Sequence, residues 1–502
     1  MNGSVIRRVV GYVLTLEALL LLLPCIVALY YNEQEGYAYL ASSAICLVLG
    51  GAMSLKKPKS NVFYLKEGCV ATALSWIVLS VFGAIPFVLT GEIPHFVDAL
   101  FETVSGFTTT GASILSDVET LANCTLFWRS FTHWIGGMGV LVFILAMIPL
   151  SGGSNMNLMK AESPGPSVSK IVPKIRKTAA LLYVIYFTMT LIEIVFLLCG
   201  KMHFLESVLT AFGTAGTGGF GFRNDSFASF SPYIQWVVTI FMILFGVNFN
   251  AYYLLLFRQF KKAFSLEEVK GYAAIIIVSI GFVFSNTIHL YNTVSEALCK
   301  ASFQVASVIT TTGFSTADFN TWSSTSKTVL VVLMFIGACA GSTGGGIKVS
   351  RFILAIKSVF KEFKSYSHPK SINSVKMDGK VVERDVLKST NVYFITFFLV
   401  FFTSVLCISF EGNDLTTNFT AVAATINNIG PGLELVGPSE NFGLFNDFSK
   451  IVLVFDMLAG RLEIFPLLIL FNPSLWSEAV KQNNARRKKK KYLSKRLKNN
   501  KS

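Results

Sequence analysis

The stretch S-G-F-T-T-T-G-A-S, residues 105–113, recurs in similar form as V-I-T-T-T-G-F-S-T-A-D-F at residues 308–319. Each copy joins a hydroxyl-rich, β-branched run to a glycine, and each follows a short apolar segment. Two looser versions are G-T-A-G-T-G-G-F-G-F at 213–222 and I-N-N-I-G-P-G-L at 426–433. A sequence motif that occurs four times predicts a molecule built from four similar units.

The four phrases can be aligned on one glycine each. These glycines are Gly111, Gly219, Gly313 and Gly430. Six positions before each glycine lies a small residue, as expected where a short helix packs closely against its neighbours. These small residues are Ser105, Gly213, Ser307 and Ala424. Four copies predict a pseudo-fourfold arrangement around one axis.

The composition places these units in a membrane. Of the 502 residues, 52% are hydrophobic and only 14% are charged, and the mean hydropathy is +0.57. A water-soluble protein rarely has this balance. Apolar runs long enough to span a bilayer lie near residues 9–31, 36–55, 68–90, 129–150, 178–199, 232–257, 271–290, 328–360, 389–410 and 449–471. The sequence therefore predicts an all-α polytopic membrane protein with ten spans and both termini on one side.

The segment before each repeated phrase is too short to span, because a spanning helix needs about 20 residues. Each is predicted to be a re-entrant half-helix, so that a unit consists of a span, a half-helix, a loop and a second span. The predicted divisions follow from this order. They are a two-helix N-terminal extension (1–67), four pore repeats (68–155, 156–260, 261–365 with an intramembrane loop, and 366–476) and a basic cytoplasmic tail (477–502).

The net charge of +14 is concentrated in clusters that fall on one face of the predicted topology. Basic residues on one side mark the cytoplasmic face, and they attract anionic lipid. Membrane lipid is therefore the expected partner of these charges, and no nucleic acid is needed to explain them. The eight cysteines are scattered without a C-x-x-C pair, so neither a disulfide framework nor a metal site is indicated.

The repeated loops have a composition suited to binding a cation. Irregular backbone at membrane depth must be buried in protein or line a water-filled cavity. Carbonyls of an extended, glycine-ended loop can face a common axis and replace the hydration shell of an ion. The partially negative C-terminal ends of the half-helices would also favour a cation. The predicted filter residues are Thr110, Gly111, Gly218, Gly219, Thr312, Gly313, Ile429 and Gly430.

A second glycine cluster, G-S-T-G-G-G-I-K at 341–348, interrupts the apolar run that follows the third filter loop. Because glycine costs about 1 kcal/mol relative to alanine inside a helix, the cluster should break this helix at membrane depth. We interpret Gly341, Ser342, Thr343, Gly344, Gly345 and Gly346 as a candidate gate beneath the filter. Lys348 and Arg351 would lead its far end to the cytoplasmic face. The alternative is a fixed packing kink.

Several charged and polar residues lie inside predicted spans. Arg461 is costly at membrane depth, so it should face the pore or pair with Glu463 or Asp456. Buried acids such as Glu17 are either ion or proton relays or partners in helix–helix hydrogen bonds. His133 is interpreted as an interfacial packing residue.

Four other functions are alternatives for parts of this sequence. G-T-G-G-F-G at 216–221 fits a dinucleotide-binding pattern, and 341–348 superficially resembles a phosphate-binding loop, but neither has the required surroundings. An intramembrane enzyme lacks paired acids or a metal-ligand spacing, so no enzymatic activity is expected. A symporter that moves a second ion stays open.

The motifs together resemble the Trk-type potassium uptake subunits of the Trk/Ktr/HKT superfamily. Besides the four loop phrases, the matching motifs are W-I-G-G-M-G-V from Trp134, A-E-S-P-G-P from Ala161, C-A-G-S-T-G-G-G-I-K-V from Cys339 and G-R-L-E-I-F from Gly460. The second loop departs from the pattern in its extra glycines, and the basic tail is longer than usual.

The resemblance implies potassium uptake in the bacterial cytoplasmic (inner) membrane, with both termini cytoplasmic. It implies that the four glycines are filter residues and that Arg461 lies in the pore as an electrostatic barrier. Glycine in the first loop is the pattern of a potassium preference. The resemblance further implies a homodimer, a TrkA-like cytosolic ring of nucleotide-binding regulatory subunits, potassium as the transported ion and no organic cofactor. A sodium- or proton-coupled potassium symporter is the alternative.

Overall fold

The computed structural model describes residues 1–55, 64–139, 175–369 and 373–474. The A-E-S-P-G-P motif, the predicted unit boundary at 155/156 and the basic tail from residue 477 lie outside these ranges.

The described residues are mainly helical. The α-helices, in chain order, are α1 (Gly3–Leu20), α2 (Leu22–Tyr31), α3 (Gly36–Leu55), α4 (Leu65–Gly83), α5 (Ile85–Thr90), α6 (Phe96–Phe107), α7 (Asn123–Met138), α8 (Ile175–Cys199), α9 (Phe204–Gly216), α10 (Pro232–Phe245), α11 (Phe249–Leu256), α12 (Phe260–Ser265), α13 (Glu267–Thr287), α14 (Val294–Ile309), α15 (Ser324–Ile336), α16 (Val349–Ser367), α17 (Arg384–Ser409), α18 (Leu415–Ile426), α19 (Asp447–Arg461) and α20 (Phe465–Leu468). A short antiparallel hairpin pairs β1 (Lys376–Met377) with β2 (Lys380–Val381).

The N-terminal extension is built from α1 to α3. Leu21 separates α1 from α2 because Pro24 has no N–H to continue the helical bonding to the preceding turn. Helix α1 packs against both α3 and α4, and the Ser43 hydroxyl donates a buried hydrogen bond to the Ala18 carbonyl. The extension therefore lies directly against the first repeat.

Four half-helices occupy the middle of the molecule, one in each repeat. Helices α6, α9, α14 and α18 are 12, 13, 16 and 12 residues long, short of the length a bilayer requires. Their side chains are mostly buried, whereas the first helices of the second, third and fourth repeats expose large apolar residues such as Phe187, Ile277 and Leu399. The half-helices thus form the interior, and the longer helices present an apolar surface suited to lipid. The predicted all-α fold of four repeats behind two N-terminal spans is confirmed.

The spans differ from the prediction in the second half of each repeat. Among the described residues, six continuous stretches are long and apolar enough to cross a membrane, and α10 with α11 makes a seventh that bends by 90°. The second helices of the first, third and fourth repeats end at Met138, Ile336 and Arg461, well before the predicted span ends. The stop at Ile336 agrees with the break predicted at the glycine cluster of the third repeat. The early ends in the first and fourth repeats were not predicted; there the helix ends where it packs against the C-terminal end of a half-helix, at Phe107 and Ile426. Residues 140–150 of the first predicted span lie outside the described ranges.

Candidate functional site

Each half-helix ends in the same backbone motif. The residue two before the filter glycine adopts a left-handed conformation, with φ of 58° at Thr109, 55° at Thr217, 59° at Thr311 and 56° at Asn428. The next N–H then donates back to the carbonyl six positions before the glycine. These bonds are Thr110 to Ser105 (2.8 Å), Gly218 to Gly213 (2.8 Å), Thr312 to Ser307 (2.8 Å) and Ile429 to Ala424 (2.9 Å). This is a Schellman termination, so the small residues found by alignment provide the acceptor carbonyls.

The four glycines form a closed ring. Their φ values are 79°, 84°, 85° and 98°, a region that favours glycine. A Cβ added to Gly111 would lie 2.1 Å from the carbonyl oxygen of Gly218, and one on Gly219 would lie 2.0 Å from that of Thr312. A Cβ on Gly313 would lie 2.0 Å from the Ile429 carbonyl oxygen, and one on Gly430 would lie 2.9 Å from the Thr110 carbonyl oxygen. Loop one therefore abuts loop two, two abuts three, three abuts four, and four returns to one.

The outer side of this ring is a shared polar cavity. Its volume is about 130 Å³, and all four filter glycines contribute to its wall together with Arg129. The structure thus brings the filter residues predicted from four distant parts of the chain to one place.

The loops beyond the ring are also joined in cyclic order. The joining bonds are Asn224 Nδ2 to Asp117 Oδ1 (2.8 Å), Phe227 N to the Ser315 carbonyl (2.8 Å), Asn320 Nδ2 to the Glu434 carbonyl (3.2 Å) and Phe442 N to the Ser113 carbonyl (2.8 Å). Adjacent repeats therefore support each other at the outer face as well as at the glycines.

His133 connects the first and second loops, a role that sequence reasoning missed. The Phe220 N–H donates to His133 Nε2 at 3.1 Å, so the ring proton is on Nδ1 and donates to the Gly106 carbonyl at 2.8 Å. The side chain is fully buried, so it does not lie at an interface. The one sequence signal for this role is that His133 is a polar residue in the second helix of a repeat.

Two further side chains fix the first loop. Asn428 donates from Nδ2 to the Thr110 hydroxyl at 2.9 Å, which joins the fourth loop to the first. Glu102, on α6, binds Arg129 at 2.7 Å in a fully buried pair and also accepts from the Ser113 hydroxyl and the Ile114 N–H. Buried ionic groups are stable only when they are paired and hydrogen-bonded, as they are here.

The candidate gate lies on the half-helix side of the ring. The Gly345 N–H donates to the Thr311 hydroxyl at 2.6 Å, and the Gly346 N–H donates to the Asn427 carbonyl at 3.0 Å. A Cβ on Gly344 would lie 2.9 Å from the Thr310 carbonyl oxygen. The glycine segment therefore packs directly against the third and fourth loops, and the break predicted between α15 and α16 is present.

Arg461 contacts this segment rather than the two acids considered from the sequence. Its guanidinium donates to the Thr343 carbonyl at 3.0 Å, to the Thr109 hydroxyl at 3.3 Å and to the carbonyls of Gly136 and Gly137. Glu463 instead binds Arg351. Asp456 accepts a hydrogen bond from the Ser404 hydroxyl at 2.7 Å.

The alternative chemistries find no support in the described residues. G-T-G-G-F-G at 216–221 starts at the last residue of a half-helix, and the segment at 341–346 follows a helix rather than a strand. Within the four described ranges, no group of three or more His, Cys, Asp or Glu side chains is placed to hold a metal ion.

Comparison with known proteins agrees with this architecture. A family model described as a cation transport protein, TrkH, matches residues 36–482. The Trk system potassium uptake protein TrkH of Salmonella typhimurium is 35% identical over 95% of this chain and 100% of its own, and TrkG of Escherichia coli is 32% identical over 95% and 100%. The crystal structure of the potassium transporter TrkH from Vibrio parahaemolyticus aligns with a TM-score of 0.85 and 31% identity, covering 95% of this chain and 100% of that one. This chain belongs to the TrkH family of cation transport proteins.

Proposed function

We propose that this protein takes up potassium ions across the bacterial cytoplasmic membrane through the ring of four loops. The observation that carries the proposal is the closed cyclic contact of each filter glycine with the carbonyl of the next loop. Relatives named as potassium uptake proteins match nearly the whole chain, which supports potassium as the ion.

The chemistry of the ring suits a weakly hydrated monovalent cation. The carbonyls of Thr110, Gly218, Thr312 and Ile429 are one peptide before each glycine and would replace water around the ion. The C-terminal ends of the half-helices add partial negative charge on the same axis. No organic cofactor is needed for this role, because the ion is the cargo and the backbone supplies the ligands.

The segment Gly341–Gly346 is proposed as the gate, because it packs beneath two filter loops and contains the conformationally free glycines of this region. Arg461 is proposed as a barrier that also fixes the gate through the Thr343 carbonyl. A homodimer and a TrkA-like cytosolic ring of nucleotide-binding subunits are proposed from the resemblance to Trk-type proteins. In that arrangement bound nucleotide would shift the gate by its different affinities for the open and closed states.

A coupled symport is a second candidate, favoured by one observation. Glu17 is fully buried in α1, and neither of its carboxylate oxygens has a hydrogen-bond partner among the residues that the structure describes. An intramembrane acid of this kind is a common proton or ion relay.

Uptake of radioactive rubidium into proteoliposomes tests the proposal. Potassium should compete strongly and sodium weakly, and uptake should follow the rubidium gradient without an imposed sodium or proton gradient. Dependence on such a gradient would favour symport. Uptake no greater than in protein-free vesicles, or equal competition by sodium, would contradict the proposed function.

A further inference from the structure

Glu268 makes an unusual set of contacts near the candidate gate. It lies in the first turn of α13, and only 6% of the residue is exposed. Its Oε1 accepts hydrogen bonds from the Ala340 N–H at 2.7 Å and from the Ser350 N–H at 3.2 Å. Its Oε2 accepts from Asn248 Nδ2 at 3.2 Å. One carboxylate therefore binds three separate segments.

Two of these segments are the two ends of the gate. Ala340 precedes the glycine segment, and Ser350 lies in the first turn of α16, just after it. The same oxygen thus joins the chain on both sides of Gly341–Gly346. Hydrogen bonds to a carboxylate are stronger than those between neutral groups, and in a buried site water does not compete for them.

The third segment is the break between α10 and α11, which also binds the gate directly. The Cys339 N–H donates to the Gly246 carbonyl at 3.1 Å, and the Phe249 N–H donates to the Gly341 carbonyl at 3.0 Å. Asn248 lies between these two contacts and is held by Glu268. The second and third repeats are therefore fastened together at the start of the gate.

We propose that Glu268 is a positioning residue that holds the two ends of the gate together and so keeps it closed beneath the filter. This inference rests on the proposed gating role of Gly341–Gly346. A glycine-rich segment has little conformational preference of its own. Backbone bonds from the Lys348 N–H to the Ile336 carbonyl (3.0 Å) and from the Val349 N–H to the Ala338 carbonyl (3.1 Å) join the chain on either side of it, and bonds from other elements add to them. Glu268 supplies such bonds at both ends, from the first turn of α13.

Three substitutions separate reach from charge. Glu268→Ala removes all three bonds, and Glu268→Asp keeps the charge but draws it back by one C–C bond, about 1.5 Å. Both should raise basal rubidium flux by about tenfold, which corresponds to a shift of about 1.4 kcal/mol in the closed–open equilibrium. Glu268→Gln loses the charge and the acceptor for Asn248 Nδ2, which lies outside the gate. It keeps a carbonyl oxygen for Ala340 and Ser350, the two bonds that join the ends of the gate, so its flux should stay close to that of the parent.

Cys339 provides a readout that a merely structural role would not change. It is fully buried beside Ala340. Its modification by a water-soluble maleimide, measured by mass spectrometry, should accelerate in the Ala and Asp variants but not in the Gln variant. Exposed Cys199 is the internal reference. Rubidium-over-sodium preference should be unchanged, because the filter loops keep their own bonds.

The matched control is Glu267→Gln, one residue before Glu268. It removes the ion pair of Glu267 with Lys357, in which each side chain is about one-third exposed, and it should change neither flux nor labelling. Deletion of Ser342–Gly345 is the reference for an open gate. If the deletion raises flux but Glu268→Ala does not, the positioning role is wrong and the gate stands. If the deletion itself has no effect, the gate and this inference both fail. If Gln opens the gate and Asp does not, charge balance is the operative factor, and the proposal is overturned.

Discussion

Arg461 shows how a single cation is accommodated at membrane depth. Its guanidinium donates to Thr343 in the candidate gate, to Thr109 in the first filter loop and to two carbonyls at the end of α7. It also lies over the Trp76 ring, with its central carbon 5.8 Å from the ring centroid. A planar fork with five donors suits such a set of carbonyls, which a lysine ammonium could not reach together.

Replacement of Arg461 by alanine should raise ion flux. The change removes a positive charge between the filter and the gate and also removes the bond that holds the Thr343 carbonyl. Arg461→Lys keeps the charge with fewer bonds, so its flux should lie between those of the parent and the alanine variant. Conductance of single molecules in a planar bilayer measures the effect. A correctly folded Arg461→Ala protein with the parental conductance would refute the barrier role.

At the scale of elements, the short half-helices and the break at Gly341 were predictable because length and glycine content are properties of the local sequence. The ends of the second helices in the first and fourth repeats were not. In the first repeat, only Gly139 marks the end of the second helix. In the fourth repeat, the chain turns after the second helix at Glu463 and Ile464, which adopt positive φ values of 52° and 71° although neither is a glycine. Tertiary contacts set those ends. The limits of the repeats stay predictions.

The contacts of His133 and Glu268 could not be predicted for a related reason. Each residue binds backbone groups that are brought near it only when separate repeats assemble. The sequence shows that a buried polar residue needs partners but does not identify them. Repetition located the four glycine-ended loops, whereas these single residues have no counterpart in the other repeats to align.

Deletion of Ser342–Gly345 tests the gate as an element. The shortened connection can no longer reach beneath the third and fourth loops, so basal rubidium flux should rise and any effect of a cytosolic regulator should be lost. Ion preference should be retained, because the filter loops are joined to one another independently of this segment. A variant that inserts normally yet conducts no more than the parent would make the segment a fixed packing kink.

The whole molecule is organised by contacts between its first and last repeats. Lys450 Nζ binds Asp98 Oδ1 at 2.5 Å, Phe442 N–H donates to the Ser113 carbonyl, and Gly430 lies against Thr110. These residues are more than three hundred positions apart, so closure of the ring depends on the complete set of four repeats. The ion preference is therefore expected to be a property of the ring rather than of one loop.

The reversal potential tests whether the four glycines form a potassium filter. It is measured with potassium on one side of a planar bilayer and sodium on the other, for the parent and for alanine variants of the four glycines. The parent should reverse close to the potassium equilibrium potential. Gly111→Ala, Gly219→Ala and Gly313→Ala place a Cβ 2.0–2.1 Å from a neighbouring carbonyl oxygen and should lose most of this preference. Gly430→Ala, where the corresponding distance is 2.9 Å, should lose the least. A parent protein without potassium preference, or four variants with the parental reversal potential, would contradict the assignment of these loops as the filter.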